Sequence, residues 1–290
     1  MSETPDDKKG LEDAEGLTRS WDWHVRRKVA WSADVPENIL EFLSRDKVQW
    51  VREAVAGNAR ASPSALARLA EDSSGYVRAA VALNRHATGE ILEMLAADEM
   101  VDYDCTLQKN RYLVKEAAAK SPNINPPTLA FLARDSEEHV RAAAASNPLL
   151  SVESMNKMVK DVFWEVRNNI AKNPSTPEDL LTYLSADRIM DVRATAAQNP
   201  RTPAAARFAL AADRSWEVRE ALARNVLLEG KILDELSGHW SWMVRAAVAE
   251  NPNTPAKTLK RLAEDQDQSV QKAALQKARE LSAAALAIKL

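Results

Sequence analysis

The amino-acid sequence predicts an all-α solenoid of about nine 26-residue helix pairs, and three observations carry the prediction. The first is an octapeptide that returns at a fixed step: VREAVAGN from Val51, VRAAVALN from Val77, VRAAAASN from Val140, VRNNIAKN from Val166, VRATAAQN from Val192, VREALARN from Val218 and VRAAVAEN from Val244. Weaker copies open at Val25 and Val270, and the steps are 26 residues except that from Val77 to Val114, which is 37. A period of roughly 20–50 residues marks an array in which each unit contacts only its neighbours. The second observation is apolar spacing of helical period inside each unit. The third is composition: hydrophobic residues make up 46%, much of it Ala, while seven Gly and 6% aromatics argue against a β-rich design.

In chain order, the N-terminal stretch MSETPDDKKGLEDAEG is polar and acidic, and residues 1–19 read as a disordered tail. It has no apolar run of the kind a secretory signal needs. Residues 3–15 hold six acids and two lysines, so the body is close to neutral although the whole chain carries −3. Residues 20–290 read as one solenoid, opened by a half-unit over roughly 20–33. No apolar stretch reaches the roughly 18 residues of a membrane span. A single Cys, Cys105, excludes a disulfide framework and fits a reducing, cytoplasmic setting.

The unit STPEDLLTYLSADRIMDVRATAAQNP, from Ser175, shows how a pair is built. Thr176 reads as an N-cap and Pro177 as the first helical residue, where a missing N–H is harmless. Leu180, Leu181 and Leu184 give a short apolar stripe. Asp187 begins the turn, and Val192, Thr195, Ala196 and Asn199 then fall at 0, +3, +4 and +7, one face of a second helix. The closing Asn-Pro reads as a stop, Asn tolerating the left-handed conformation at a helix end and Pro barring extension. Neither helix is long enough to stand alone, since those under about 12–15 residues are marginal in water.

Ala recurs at +5 from the key Val, from Ala30 to Ala249, so neighbouring second helices can approach closely. Asp recurs five residues before the Val and Arg directly after it. Asp187, Arg193, Asp213 and Arg219 are thereby expected to belong to a structural ladder of ion pairs between repeats, because a function rarely needs the same pair in every unit.

The pattern T-P-x-x-x-L-x-x-L-x-x-D followed by V-R-x-x-V-A-x-N-P resembles the leucine-rich repeat variant, a HEAT-like α-solenoid unit, over roughly residues 20–280. The resemblance implies a right-handed superhelix of paired helices and, in arrays of this kind, a concave face formed by the second helices. Some proteins with these repeats carry an N-terminal cysteine cluster holding iron–sulfur. This chain has no such cysteines, so that property does not transfer, and the family implies no common enzymatic activity.

Departures from the repeat are where function can be read. Trp23, Trp164, Trp216 and Trp242 sit two residues before the key Val, with Trp50 and Tyr76 one residue before it. On a helix, −2 projects at about 160° from the core-facing Val, beside +2 and +6. A Trp row among Lys172 and Arg224 suits a binding groove, since Trp and Arg are common interface anchors. The alternative folds each indole back over the neighbouring repeat. Glu138 and Met190 in the same column favour the surface reading.

The stretch 99–113 carries the 11 extra residues, with Cys105, Tyr103, Tyr112 and Arg111, and reads either as an interface loop or as a longer helix. The C-terminal VQKAALQKARELSAAALAIKL reads as a helix covering the last repeat, its apolar end equally suited to docking on another chain. His239 stands where the ladder has Asp and reads as a tolerated variant. No metal site, cofactor motif or nucleophile–base pair is evident.

The expectation is a non-enzymatic intracellular scaffold that binds a protein or peptide partner through the second-helix face and the insertion. Trp164, Trp216, Trp242, Lys172, Arg224, Tyr103, Tyr112 and Arg111 are the candidate contacts. The alternative is a nucleic-acid binder akin to HEAT-like alkylpurine DNA glycosylases. The mixed charges at +2 and +6 disfavour it, because phosphate binding needs a basic groove.

Overall fold

The computed structural model describes residues 16–104 and 109–287. Within them the chain is an α-solenoid of nine helix pairs, preceded by a half-unit and interrupted by one β-hairpin. First helices of seven or eight residues, such as Glu37–Leu43, Pro63–Leu69, Glu178–Leu184 and Gly230–Leu236, alternate with second helices of eight or nine, such as Gln49–Gly57, Gly75–Leu83, Trp164–Lys172 and Trp216–Ala223. The last second helix, Gln268–Ala287, runs to 20 residues. Most of residues 1–19 lie outside the described chain, which begins with a helical turn at 16–18 and a buried Thr18. Cys105 lies outside it too.

The contacts divide the chain into two compact units, 1–154 and 155–290. Both are built alike. Within each unit the second helix of one pair packs on the second helix of the next, and the key Val and the +5 Ala between them are sealed from solvent: Val51 and Ala56 in the first unit, Val218 and Ala223 in the second. Val25, with no complete pair before it among the described residues, stays half-buried. Leucines of the first helices, such as Leu66, Leu69, Leu181 and Leu184, close the other side of each core. Burying such a side chain contributes about 1.5–3 kcal/mol, and this packing supplies what helices of seven to nine residues lack alone.

Three local readings are corrected by the geometry. The closing Asn is extended rather than left-handed, with φ −66° and ψ 123° at Asn199. Its amide instead reaches back one repeat: Asn199 Nδ2 donates to the carbonyls of Ala171 (2.8 Å) and Asn173 (3.3 Å), while its Oδ1 accepts from Arg201 N. Asn58, Asn84, Asn147, Asn225 and Asn251 do the same. These carbonyls are the ones a helix end leaves without an internal partner.

Thr176 is likewise no N-cap. Its hydroxyl donates to Ile170 O (2.6 Å), satisfying the end of the preceding second helix. True side-chain caps occur at Ser62, Thr88 and Asn125.

The third correction concerns the insertion. It is not a longer helix: among its described residues Asp102–Asp104 pair antiparallel with Lys109–Arg111 in the register Tyr103↔Asn110. Strands of three residues, DYD and KNR, are too short to give an alternating strand signal, and KNR is polar throughout.

Candidate binding surface

The polar seam along the inter-helix turns is the most regular feature of the surface. Arg193 Nε and Nη2 donate to Asp213 Oδ2 (2.7 Å) and Oδ1 (3.0 Å) of the next repeat, while Nη1 donates to Asp187 O (2.9 Å) of its own turn. Arg167 repeats this on Asp187, Arg245 on Asp265, and in the first unit Arg26 on Asp46 and Arg52 on Asp72. Lys115 supplies the cation for Asp135. Each Asp also accepts a backbone N–H two residues on, as Asp187 does from Ile189. Burial pushes the Asp187 carboxyl up, but the Arg167 hydrogen bonds and the Ile189 N–H outweigh it and leave it below the usual carboxylate range. With all three nitrogens of the Arg193 fork directed at protein oxygens, the seam joins repeats rather than presenting a row of phosphate-binding guanidiniums.

One rung differs. Arg219 donates to Asp213 O (2.6 Å), but the next position holds His239. His239 Nδ1 accepts from Ser241 N at 3.1 Å, so the imidazole reproduces the turn contact of an Asp and not its ion pair. Burial lowers the His239 pKa, and the neighbouring Arg219 and Arg245 lower it further.

On the second-helix face the expected aromatic row is graded rather than uniformly exposed. Trp242 is 44% exposed. Trp164 and Trp216 are half-buried, and Trp216 packs against the core cluster around Val218 and Leu222, as Met190 does. The −2 residue is the first residue of its helix, where the indole can fold over the neighbouring repeat. Lys172 is exposed. Arg224 is held between Glu220 (2.9 Å) and Glu250 (3.1 Å) of adjacent second helices.

In the first unit the hairpin is tied down by Arg111, whose Nε donates to Glu116 Oε1 (2.9 Å) and whose Nη2 pairs with Glu116 Oε2. Tyr112 precedes the helix Leu113–Lys120, with the Lys115 ammonium 5.1 Å from its ring centre. The side chain of Tyr103 lies outside the described residues. The same unit presents aromatics that the −2 register does not single out: Trp50 and Tyr76, with ring centres 6.0 Å apart, and the exposed Trp31 at +6.

The two most exposed indoles, Trp21 (93%) and Trp240 (76%), lie four residues before the key Val, on the seam edge. Helical phase cannot place them because that position precedes the helix. Clefts of 630 Å³ beside Trp21 and Phe42, and of 620 Å³ beside Val162 and Tyr183, open on the same edge. Their walls hold the Arg26–Asp46 and Arg167–Asp187 pairs.

Comparison with known proteins bears on the fold. Residues 190–215 and 242–267 match the family model described as leucine rich repeat variant. A solved structure titled as a leucine-rich repeat variant with a novel repetitive protein structural motif is 23% identical, at a TM-score of 0.54, covering 81% of this chain and 88% of its own. Escherichia coli YibA is 19% identical (TM-score 0.47; 81% and 98% covered), and an engineered protein 17% identical (TM-score 0.40; 93% and 98%). No curated protein matches.

Proposed function

We propose that this solenoid of leucine-rich repeat variant units is a non-enzymatic cytoplasmic scaffold that binds a protein or peptide partner through its second-helix face, with the 99–113 hairpin contributing in the first unit. The observation that supports the reading best is the chemistry of that face. It carries large aromatics that are partly or largely exposed, Trp242 in the second unit and Trp31 and Trp50 in the first, among charged residues. Such residues are enriched at the centres of protein interfaces. No helix among the described residues is long and apolar enough to cross a membrane.

A nucleic-acid reading is weaker. Arg224 and Arg111 direct their guanidiniums at Glu220, Glu250 and Glu116, so two of the basic groups it would rely on are already neutralised by carboxylates.

The test is quantitative affinity capture with the full chain and two variants, Trp242→Ala on the second-helix face and Trp240→Ala on the seam edge. Specific partners should be depleted about tenfold or more by Trp242→Ala, consistent with loss of an anchor of about 2 kcal/mol, and retained by Trp240→Ala. The reverse pattern would move recognition to the seam edge.

A further inference from the structure

Three of the +2 positions on the second-helix face hold a carboxylate: Glu53, Glu116 and Glu220. Two of the three are met by arginine. Glu116, only 4% exposed, takes the fork of Arg111 from the hairpin, and Glu220 takes Arg224 from its own helix. Glu53 is half-buried, and its Oε2 is shielded from solvent without any hydrogen-bond partner. Removing such an oxygen from water without a donor is unfavourable. Burial accordingly pushes the Glu53 carboxyl up, and Arg27 on the neighbouring second helix only partly offsets this, its own head remaining exposed.

The surroundings of Glu53 have a consistent character. Trp50 lies one turn before it on the same helix face and contacts Tyr76, their rings tilted by 46°. Gly57 lies one turn after it, and the Trp31 ring covers that glycine, 3.7 Å from where a β-carbon would stand. A carboxylate is thus bracketed along one stripe by indoles from two helices. Planar cations are held well by such a combination, because a guanidinium pairs edge-on with a carboxylate and stacks face-on against an aromatic ring.

We propose that Glu53 anchors a binding site for an arginine side chain of a peptide or protein partner, the half-buried carboxylate turning outward, with no hydrogen bond at Oε2 to break, to pair with the guanidinium while Trp50 and Trp31 flank its plane. The Arg111–Glu116 pair, at the same register two second helices on, is the internal template for the contact. A phosphate backbone is the wrong occupant, since it would meet a carboxylate. The inference rests on the reading of the second-helix face as a protein-binding surface and names the chemistry of one contact on it.

The experiment is a peptide-display selection on the full chain and on its Glu53→Gln variant, followed by titration of the selected peptide and of its lysine and citrulline versions, read by Trp fluorescence. Arginine should be enriched at one fixed position with the native chain and not with Glu53→Gln. Citrulline in the peptide, or Gln at 53, should each weaken binding by about 10–100-fold, the scale of a charge-assisted hydrogen bond, and lysine by less than citrulline. The urea midpoint of Glu53→Gln should equal or exceed that of the native chain, because Oε2 has no partner to lose. A fall in the midpoint would make Glu53 a structural residue and overturn the proposal. So would a selection that yields no arginine, or none that distinguishes the two chains. If peptides selected without arginine lose affinity on Trp242→Ala, the binding reading stands while this site falls.

Discussion

Two rungs of the seam in the second unit differ in one residue. At Arg193 the guanidinium spans from its own turn to the Asp213 carboxylate of the next repeat, and both partners are largely buried. At Arg219 the turn contact persists, but the next repeat offers the His239 imidazole. The position before each second helix therefore does two separable jobs. One is local, accepting a backbone N–H so that the turn closes. The other is long-range, neutralising the arginine of the preceding repeat. His239 does the first and not the second, so a repeat can fold without a complete rung as long as its Val, Ala and Asn contacts are intact.

The comparison can be broken at several points. Arg193→Ala has the largest expected effect: it strands the Asp213 carboxyl without its cation, and removing one partner of a buried pair costs about 3–5 kcal/mol. A fall of that size in the urea-unfolding free energy, with partner binding unchanged in the folded protein, is the expected result.

Next comes Asn225→Ala. The side chain is 1% exposed and donates to Ala197 O and Asn199 O while accepting from Leu227 N. Losing these bonds with the helix end left buried should cost about 2–3 kcal/mol. A substitution effect below about 1 kcal/mol would mean that water replaces the amide.

The smallest effect has the opposite sign. His239→Asp supplies the missing carboxylate to Arg219 and should stabilise by about 1 kcal/mol. The His239 pKa is lowered on folding, so the unfolded chain binds the proton more tightly and His239 destabilises the fold as pH drops below about 6.5. The native chain should lose stability over that range relative to His239→Asp. Parallel pH profiles above pH 5 would show that His239 does not sense Arg219 and Arg245.

The same contrast explains what the sequence could reveal. Val at 0 is legible because burial of a helix face follows a period of 3.6 within one unit, and Ala at +5, about 140° round the helix from it, because it recurs in unit after unit. The roles of Asn199 and Thr176 are not, since their partners are helix-end carbonyls whose availability depends on how repeats stack. Asn was read as a left-handed stop on its intrinsic tolerance, and tertiary hydrogen bonding placed it in extended backbone instead. The Trp row was placed by helical phase, which leaves open whether the first residue of a helix leans outward, as Trp242 does, or over its neighbour, as Trp216 does. Trp21 and Trp240 escaped because phase has no meaning in the turn they occupy. Glu53 gave no signal at all: its interest comes from what fails to meet it.

The most direct test of the account sets Arg193→Ala beside Arg219→Ala in urea unfolding under identical conditions. If the seam stabilises the fold through its inter-repeat ion pairs, Arg219→Ala should cost under about 1 kcal/mol, because only its turn hydrogen bond is lost, against the 3–5 kcal/mol expected of Arg193→Ala. Equal losses would contradict it, showing that the arginines act through their own turns and that the carboxylates across the repeat contribute little.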